Sequence, residues 1–148
     1  MNTAASFATG VKGAAITDEM RREIDANREN GCVGSVLVSE TDEVRVWHLT
    51  VKAGTRCGFH KHVLNYFWTC HSDGSARNIF EDGTTRDDNY YAGETRHMKF
   101  GPGEYMLHAL ENTGKTDLTF TTVEFVKGSA NKPLQVPESV RLKVPKAA

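Results

Sequence analysis

The sequence predicts an all-β protein, an antiparallel sandwich or barrel, with one short helix ahead of it and an extended tail behind. Three observations carry this. Short segments rich in Val, Thr, Phe and Trp recur from Gly34 onward. Turn signals such as "SDGS", "EDGTT" and "ENTGKTD" separate them. The one stretch with helix start and stop residues precedes them, and three of the four prolines follow Gly128.

Residues 1–16 show no periodicity, and an irregular arm is expected there. "TDEMRREIDANREN" reads as one helix: Thr17 or Asp18 caps it, acidic residues fill its first turn, and Gly31 stops it. Its apolar positions, Met20 and Ile24, are few, so it is expected on a surface or against a partner subunit. The strands then follow as "GSVLVSE", "EVRVWHLTV", "NYFWTCH", "SARNIFE", "TRHMKF" and "LTFTTVEFV", with "HSDGS" and "EDGTT" as hairpin turns. The tail should dock on the β unit or on a neighbouring protomer, or form an exposed, proline-punctuated edge strand. The plan is an arm and helix over 1–33, the β unit over 34–128 and the tail over 129–148.

A length of 148 residues suits one domain with a single core. The formal charge of −1 and the lack of a basic stripe argue against nucleic acid as a partner. No apolar run approaches a membrane span, and the N-terminus lacks the basic start and apolar block of a secretory signal. Three widely spaced cysteines, Cys32, Cys57 and Cys70, do not make a disulfide framework and fit a reducing cytoplasm.

The chemistry concentrates in "GTRCGFHKHVLNYFW", residues 54–68. Side chains two apart on a strand point the same way, so His60 and His62 can present both rings to one point. Phe59, Val63, Leu64, Tyr66, Phe67 and Trp68 surround them as material for a dry wall. His108, in "FGPGEYMLHALENTG", is the third candidate, with Asn112 four residues on.

Together these read G-x5-H-x-H, 45 intervening residues, then H-x3-N. That combination resembles the two motifs of the cupin superfamily, over roughly residues 40–127. The resemblance implies a jelly-roll β-barrel in which His60, His62 and His108 hold one divalent metal. "EVRVWHLTVKAGTRCGFHKH" and "LENTGKTDLTFTTVEF" look more narrowly like short single-domain bacterial cupins of the β-alanine-degradation type. Two departures stand out. Tyr66 and Phe67 occupy the place where cupins usually carry a glutamate, and Pro102 and Gly103 lie further from His108 than the second motif has them. The missing carboxylate leaves three options: a three-histidine centre, a fourth ligand from elsewhere, or a barrel without metal.

Three neutral imidazoles leave the full 2+ charge on an ion with open positions, which suits anionic or enolisable chelating substrates. Fe(II) is the expected metal, since open positions let substrate and O₂ bind together; Zn, Cu and Ni also suit imidazole, and Zn, Ni, Mn and Cu stand as alternatives. Asn65 and Tyr66 are candidates for contacting metal or substrate, and Glu104 for a replacement ligand or general base. Trp68 and Arg45 are candidate substrate contacts, and His97 a candidate acid, base or ligand-orienting group. Glu124, an acid in an apolar strand, should pair with a cation such as Arg45 or hold a ligand histidine if it faces inward. Cys57 reads as a small buried residue, His48 as a satisfied barrel-wall histidine and His71 as a turn residue.

The leading functional reading is a non-haem Fe(II) dioxygenase acting on a small chelating substrate: a diketone, a thiol or a hydroxy acid. A non-redox metal-dependent lyase or isomerase is the alternative within enzymes, and a small-molecule-binding barrel the alternative outside them. A homodimer is expected, with the helix and tail as interface material.

Overall fold

In the computed structural model, residues 11–12 and 16–145 are described. The arm expected over 1–16 lies almost wholly outside them, as do the last three residues of the tail.

The helix α1 spans Asp18–Ala26. Thr17 caps it, its hydroxyl accepting from the Met20 amide at 3.1 Å. It ends at Asn27, short of the expected Gly31. Asn27 and Asn30 turn the chain down instead. The Asn30 amide group donates to Asn27 Oδ1 and to the Phe59 carbonyl, both at 3.1 Å, and its own Oδ1 accepts from the Cys32 amide. Short polar side chains that bond locally to backbone compete with helix continuation.

Among the described residues ten strands follow the order β1 (Val11–Lys12), β2 (Val36–Glu40), β3 (Val44–Val51), β4 (Arg56–His62), β5 (Tyr66–Cys70), β6 (Gly74–Phe80), β7 (Thr84–Tyr90), β8 (Thr95–Met98), β9 (Met106–Asn112) and β10 (Leu118–Phe125). They form two five-stranded sheets, β1-β7-β6-β9-β4 and β2-β3-β10-β5-β8, with every paired strand antiparallel. The sheets face one another as a jelly roll. "EDGTT" is a hairpin between β6 and β7, with Gly83 at φ 86. "HSDGS" is not a hairpin: it carries the chain from one sheet to the other.

Alternation places the core. Val51, Cys70, Ala76, Tyr90, Leu110, Leu118 and Phe120 pack together between the sheets. β7 breaks the hydrophobic pattern because its alternate residues Thr84, Arg86, Asp88 and Tyr90 are mostly polar, yet Thr84 and Tyr90 are buried.

The helix covers the outer face of the first sheet. Ile24 is fully buried against Phe59, Ile79, Leu107 and Ala109, with Ile16, Met20 and Tyr105 at the margin. The tail also packs on its own barrel. Val136 and Val140 lie against Val33, Leu37 and Trp47. Leu37 bridges Arg141 in parallel, and the Leu142 amide donates to the Leu37 carbonyl at 2.9 Å. Helix and tail, expected as interface material, therefore cover faces of this chain. No helix among the described residues is long and apolar enough to cross a membrane.

One irregularity positions the site. In the β4–β9 ladder Cys57 pairs with Leu110, but His60, three residues on, pairs with His108, only two residues away. The extra residue is a β-bulge at Gly58–Phe59. It brings Cys57 onto the inward face with His60 and His62, and sends Phe59 and Lys61 outward beneath the helix.

Candidate metal centre

His60 and His62 come from β4 and His108 from β9, side by side in the first sheet. One ring nitrogen from each lies within 4.8 Å of the others. His62 Nε2 and His108 Nε2 are 3.1 Å apart, and the ring centroids are separated by 4.7 to 5.1 Å. Among the described residues no Asp, Glu or Cys joins the group.

Two tautomers are set from outside the cluster. The Gly58 carbonyl, which only accepts, lies 2.9 Å from His60 Nδ1, so that nitrogen carries the proton. Asn78 Nδ2 donates to Asp88 Oδ2 at 3.0 Å, which turns Asn78 Oδ1 toward His108 Nδ1, 3.0 Å away. His60 and His108 thus keep Nε2 as a lone pair, the form a metal requires, with their other nitrogens anchored as ligating imidazoles usually are. His62 Nδ1 is buried without a partner among the described residues.

Burial holds all three imidazoles neutral. It lowers the His60 pKa, partly opposed by the Gly58 carbonyl. His62 falls well below its ordinary value through burial and then through His60 and His108. His108 does so through burial, then His60 and the Arg86 guanidinium. Three converging, neutral imidazoles, two of them oriented from outside the cluster, fit one divalent ion. The cluster borders a cavity of about 180 Å³ between the sheets.

Tyr66 takes the position beside the cluster. It is buried and stacked on His62, centroids 4.3 Å apart. Burial, and then the nearby Glu124, raises its pKa, so the phenol keeps its proton. Trp68 lines the cavity on the same face of β5, edge-on to Phe120.

The remaining candidates lie elsewhere. Asn65 Oδ1 accepts from the Phe100 amide at 2.9 Å and ties two loops together. Glu104 Oε1 accepts from the Gly101 amide at 2.8 Å, closing the Gly-Pro-Gly turn. His97 is exposed and packs on Phe67, on the opposite face of β8 from Arg96 and Met98. Arg45 is buried, but its guanidinium pairs with Glu40 at 2.6 Å and donates to the Leu134 carbonyl at 2.8 Å. None of these four lines the cavity. Glu124 faces inward without holding a histidine or touching a cation; it accepts from Trp47 Nε1 at 2.7 Å. His48 is exposed instead of satisfied in the wall, because β3 turns Trp47 and Leu49 inward. His71 bonds Thr121 Oγ1 at 2.7 Å.

Sequence reasoning missed Asn78, Arg86, Tyr90 and Arg96, all of which line the cavity. Alternation was the available signal: Asn78 sits between the inward positions Ala76 and Phe80 of β6. Arg86 pairs with Asp88 at 2.8 Å and lies 5.8 Å from the Phe80 ring centre; Arg96 pairs with Glu94 and lies 5.6 Å from that of Trp68. A second cavity on the other side of His60 is lined by Asn30, Cys32, Leu49 and Cys57. Burial raises the pKa of both thiols, which stay protonated.

Comparison with solved structures supplies the fold. A cupin domain from Bordetella pertussis Tohama I superposes with a TM-score of 0.52 at 17% identity, over 59% of this chain and 85% of that one. A protein with a double-stranded β-helix domain from Klebsiella pneumoniae subsp. pneumoniae MGH 78578 gives 0.49 at 23% identity, over 63% and 76%. Oxalate decarboxylase from Bacillus subtilis, described with Mn(II) centres, gives 0.43 at 28% identity over 55% of this chain and 21% of that one. No family model matches the chain, and no curated protein does. The chain has the cupin, double-stranded β-helix fold, with three histidines at its centre that could hold a metal ion.

Proposed function

We propose that this chain is a mononuclear metal-dependent cupin enzyme, a non-haem Fe(II) dioxygenase acting on a small chelating substrate such as a diketone, a thiol or a hydroxy acid. The observation that carries the reading is the convergence of three neutral imidazoles, two of them oriented from outside, on a cavity with no carboxylate ligand. His60, His62 and His108 would hold the ion. Bound there, a divalent ion supplies Lewis acidity and, as Fe(II), the electrons that oxygen chemistry requires.

The chain's own residues do the rest. Asn78 and the Gly58 carbonyl keep His108 and His60 in the ligating tautomer. Leu110, Met106 and Phe120 exclude water from the cavity. Tyr66 presents a protonated hydroxyl in the cavity wall, available to donate a hydrogen bond to an anionic oxygen of the substrate. Glu104 and His97, acid or base candidates for a lyase or isomerase, do not line the cavity. The likeness of two segments to β-alanine-degradation-type cupins belongs to the same proposal.

The test starts with metal analysis of protein purified without chelators. About one ion per chain, lost in His108→Ala, is the expected result. Oxygen uptake is then measured against diketones, thiols and hydroxy acids. Substoichiometric metal in both proteins would leave a ligand-binding barrel. Metal without uptake on any substrate would leave non-redox chemistry, and uptake that survives metal removal would refute the dioxygenase.

A further inference from the structure

Among the described residues, every formally charged side chain that lines the central cavity is a cation, and there are two: Arg86 and Arg96. No Asp or Glu among the described residues belongs to its lining. The acids that accompany the arginines are strand neighbours two residues away, Asp88 and Glu94, outside the lining.

Arg96 is the better placed for a ligand. Glu94 Oε2 takes its Nε at 2.8 Å and its Nη2 at 2.7 Å, which uses one edge of the guanidinium fork. Among the described residues Nη1 has no hydrogen-bond partner. The plane is held over the Trp68 ring, 5.6 Å from its centre, and the side chain is 42% exposed. An arginine fixed by an ion pair and an aromatic face, with donors left over, is preorganised for a carboxylate.

Its position along the sheet sets a length. Tyr66 pairs with Met98 and Trp68 with Arg96 in the β5–β8 ladder, and Tyr66 stacks on His62. Arg96 is thus one inward step, about 7 Å, beyond the residue that touches the histidine cluster. A cavity of about 180 Å³ with this layout takes a small molecule with a chelating head and an anionic tail.

We propose that the substrate is a small acid carrying a second anionic group, and that Arg96 recognises that group at the mouth of the cavity. This rests on the metal-site reading for the head of the molecule, but Arg96 itself is independent of it. Arg86 is assigned a supporting electrostatic role.

The probes are 2-oxoglutarate and 2-oxoadipate, with 2-oxohexanoate and 2-oxoheptanoate as partners lacking the tail charge. Binding is read by calorimetry and Trp fluorescence on protein loaded with redox-inert zinc and on zinc-free protein, with zinc stoichiometry measured separately. In the zinc-loaded wild type, at least one diacid should bind about tenfold or more tightly than its partner. Arg96→Gln should abolish that preference, Arg96→Lys should keep part of it, and circular dichroism should show both variants folded. Failure to take up zinc, with an Arg96-dependent preference still present, would overturn the metal reading and uphold this one. Normal zinc uptake with equal affinity for diacids and monoacids, a preference that survives Arg96→Gln, or no binding of any probe at millimolar concentration would overturn it.

Discussion

Replacing Glu124 by Gln should stabilise the protein at pH 8 and leave it unchanged near pH 4. The Glu124 side chain is 3% exposed on the inward face of β10 and accepts one hydrogen bond, from Trp47 Nε1 at 2.7 Å. Arg45 faces it across the ladder but spends its guanidinium on Glu40 and the Leu134 carbonyl. Burial raises the Glu124 pKa from 4.5 to about 7, against the Trp47 bond and the more distant Arg45 charge. Between those two values the folded chain holds a proton that the unfolded chain has released. Stability therefore falls as pH rises from 4.5 to about 7, and Glu124 adds no further change above that. At about 1.4 kcal/mol per pH unit the loss comes to about 3 kcal/mol. Glu124→Gln keeps an oxygen for the Trp47 bond and removes the charge. The variant should gain about that amount over wild type at pH 8, with the gain vanishing toward pH 4. The histidine cluster titrates in both proteins and cancels in the difference. Urea unfolding at pH 4, 5, 6, 7 and 8, followed by far-ultraviolet circular dichroism, measures it. A difference that does not change with pH, or that grows toward acid, would refute the assignment of Glu124 as a buried, cation-free carboxyl.

Three further outcomes follow from the same geometry. Asn78→Ala should weaken zinc binding about ten- to a hundredfold, because His108 loses the acceptor that fixes its tautomer; competition with a chromophoric chelator reads this. Ile24→Ala should destabilise the protein by about 2–5 kcal/mol in urea unfolding, since Ile24 is fully buried between helix and sheet. Zinc affinity should stay flat from pH 8 to 6.5 and fall only in more acid solution, since burial keeps the three imidazoles neutral below their ordinary titration range; a decline already under way at pH 7 would contradict that.

Much of the site was legible because β-strand parity is short-ranged. His60 and His62 share a face by spacing alone, and the Tyr66 and Trp68 alternation places both in the cavity. The strands "EVRVWHLTV" and "LTFTTVEFV" read correctly for the same reason. β7 was hidden because the residues it turns toward the interior include Arg86 and Asp88, which remove the hydrophobic period. The alignment of Cys57 with the histidines depends on the bulge at Gly58–Phe59, which no local pattern announces. Arg45 and Glu124 were read as partners from their residue types. What draws the guanidinium away from Glu124 is Glu40 together with the carbonyl of Leu134, the latter far away in sequence. Long-range backbone contacts of this kind are invisible to periodicity.

Asn131 holds together the loops beside the histidine strands. Its amide nitrogen lies within 3.3 Å of the Val63, Gly101 and Glu104 carbonyls, and its Oδ1 accepts from the Gly103 amide at 2.8 Å. Val63 directly follows β4, and residues 101–104 lead into β9. One amide side chain from outside the β unit thus fixes the chain at the end of β4 and ahead of β9 together, so a change at Asn131 would disturb the strands of His62 and His108 at once.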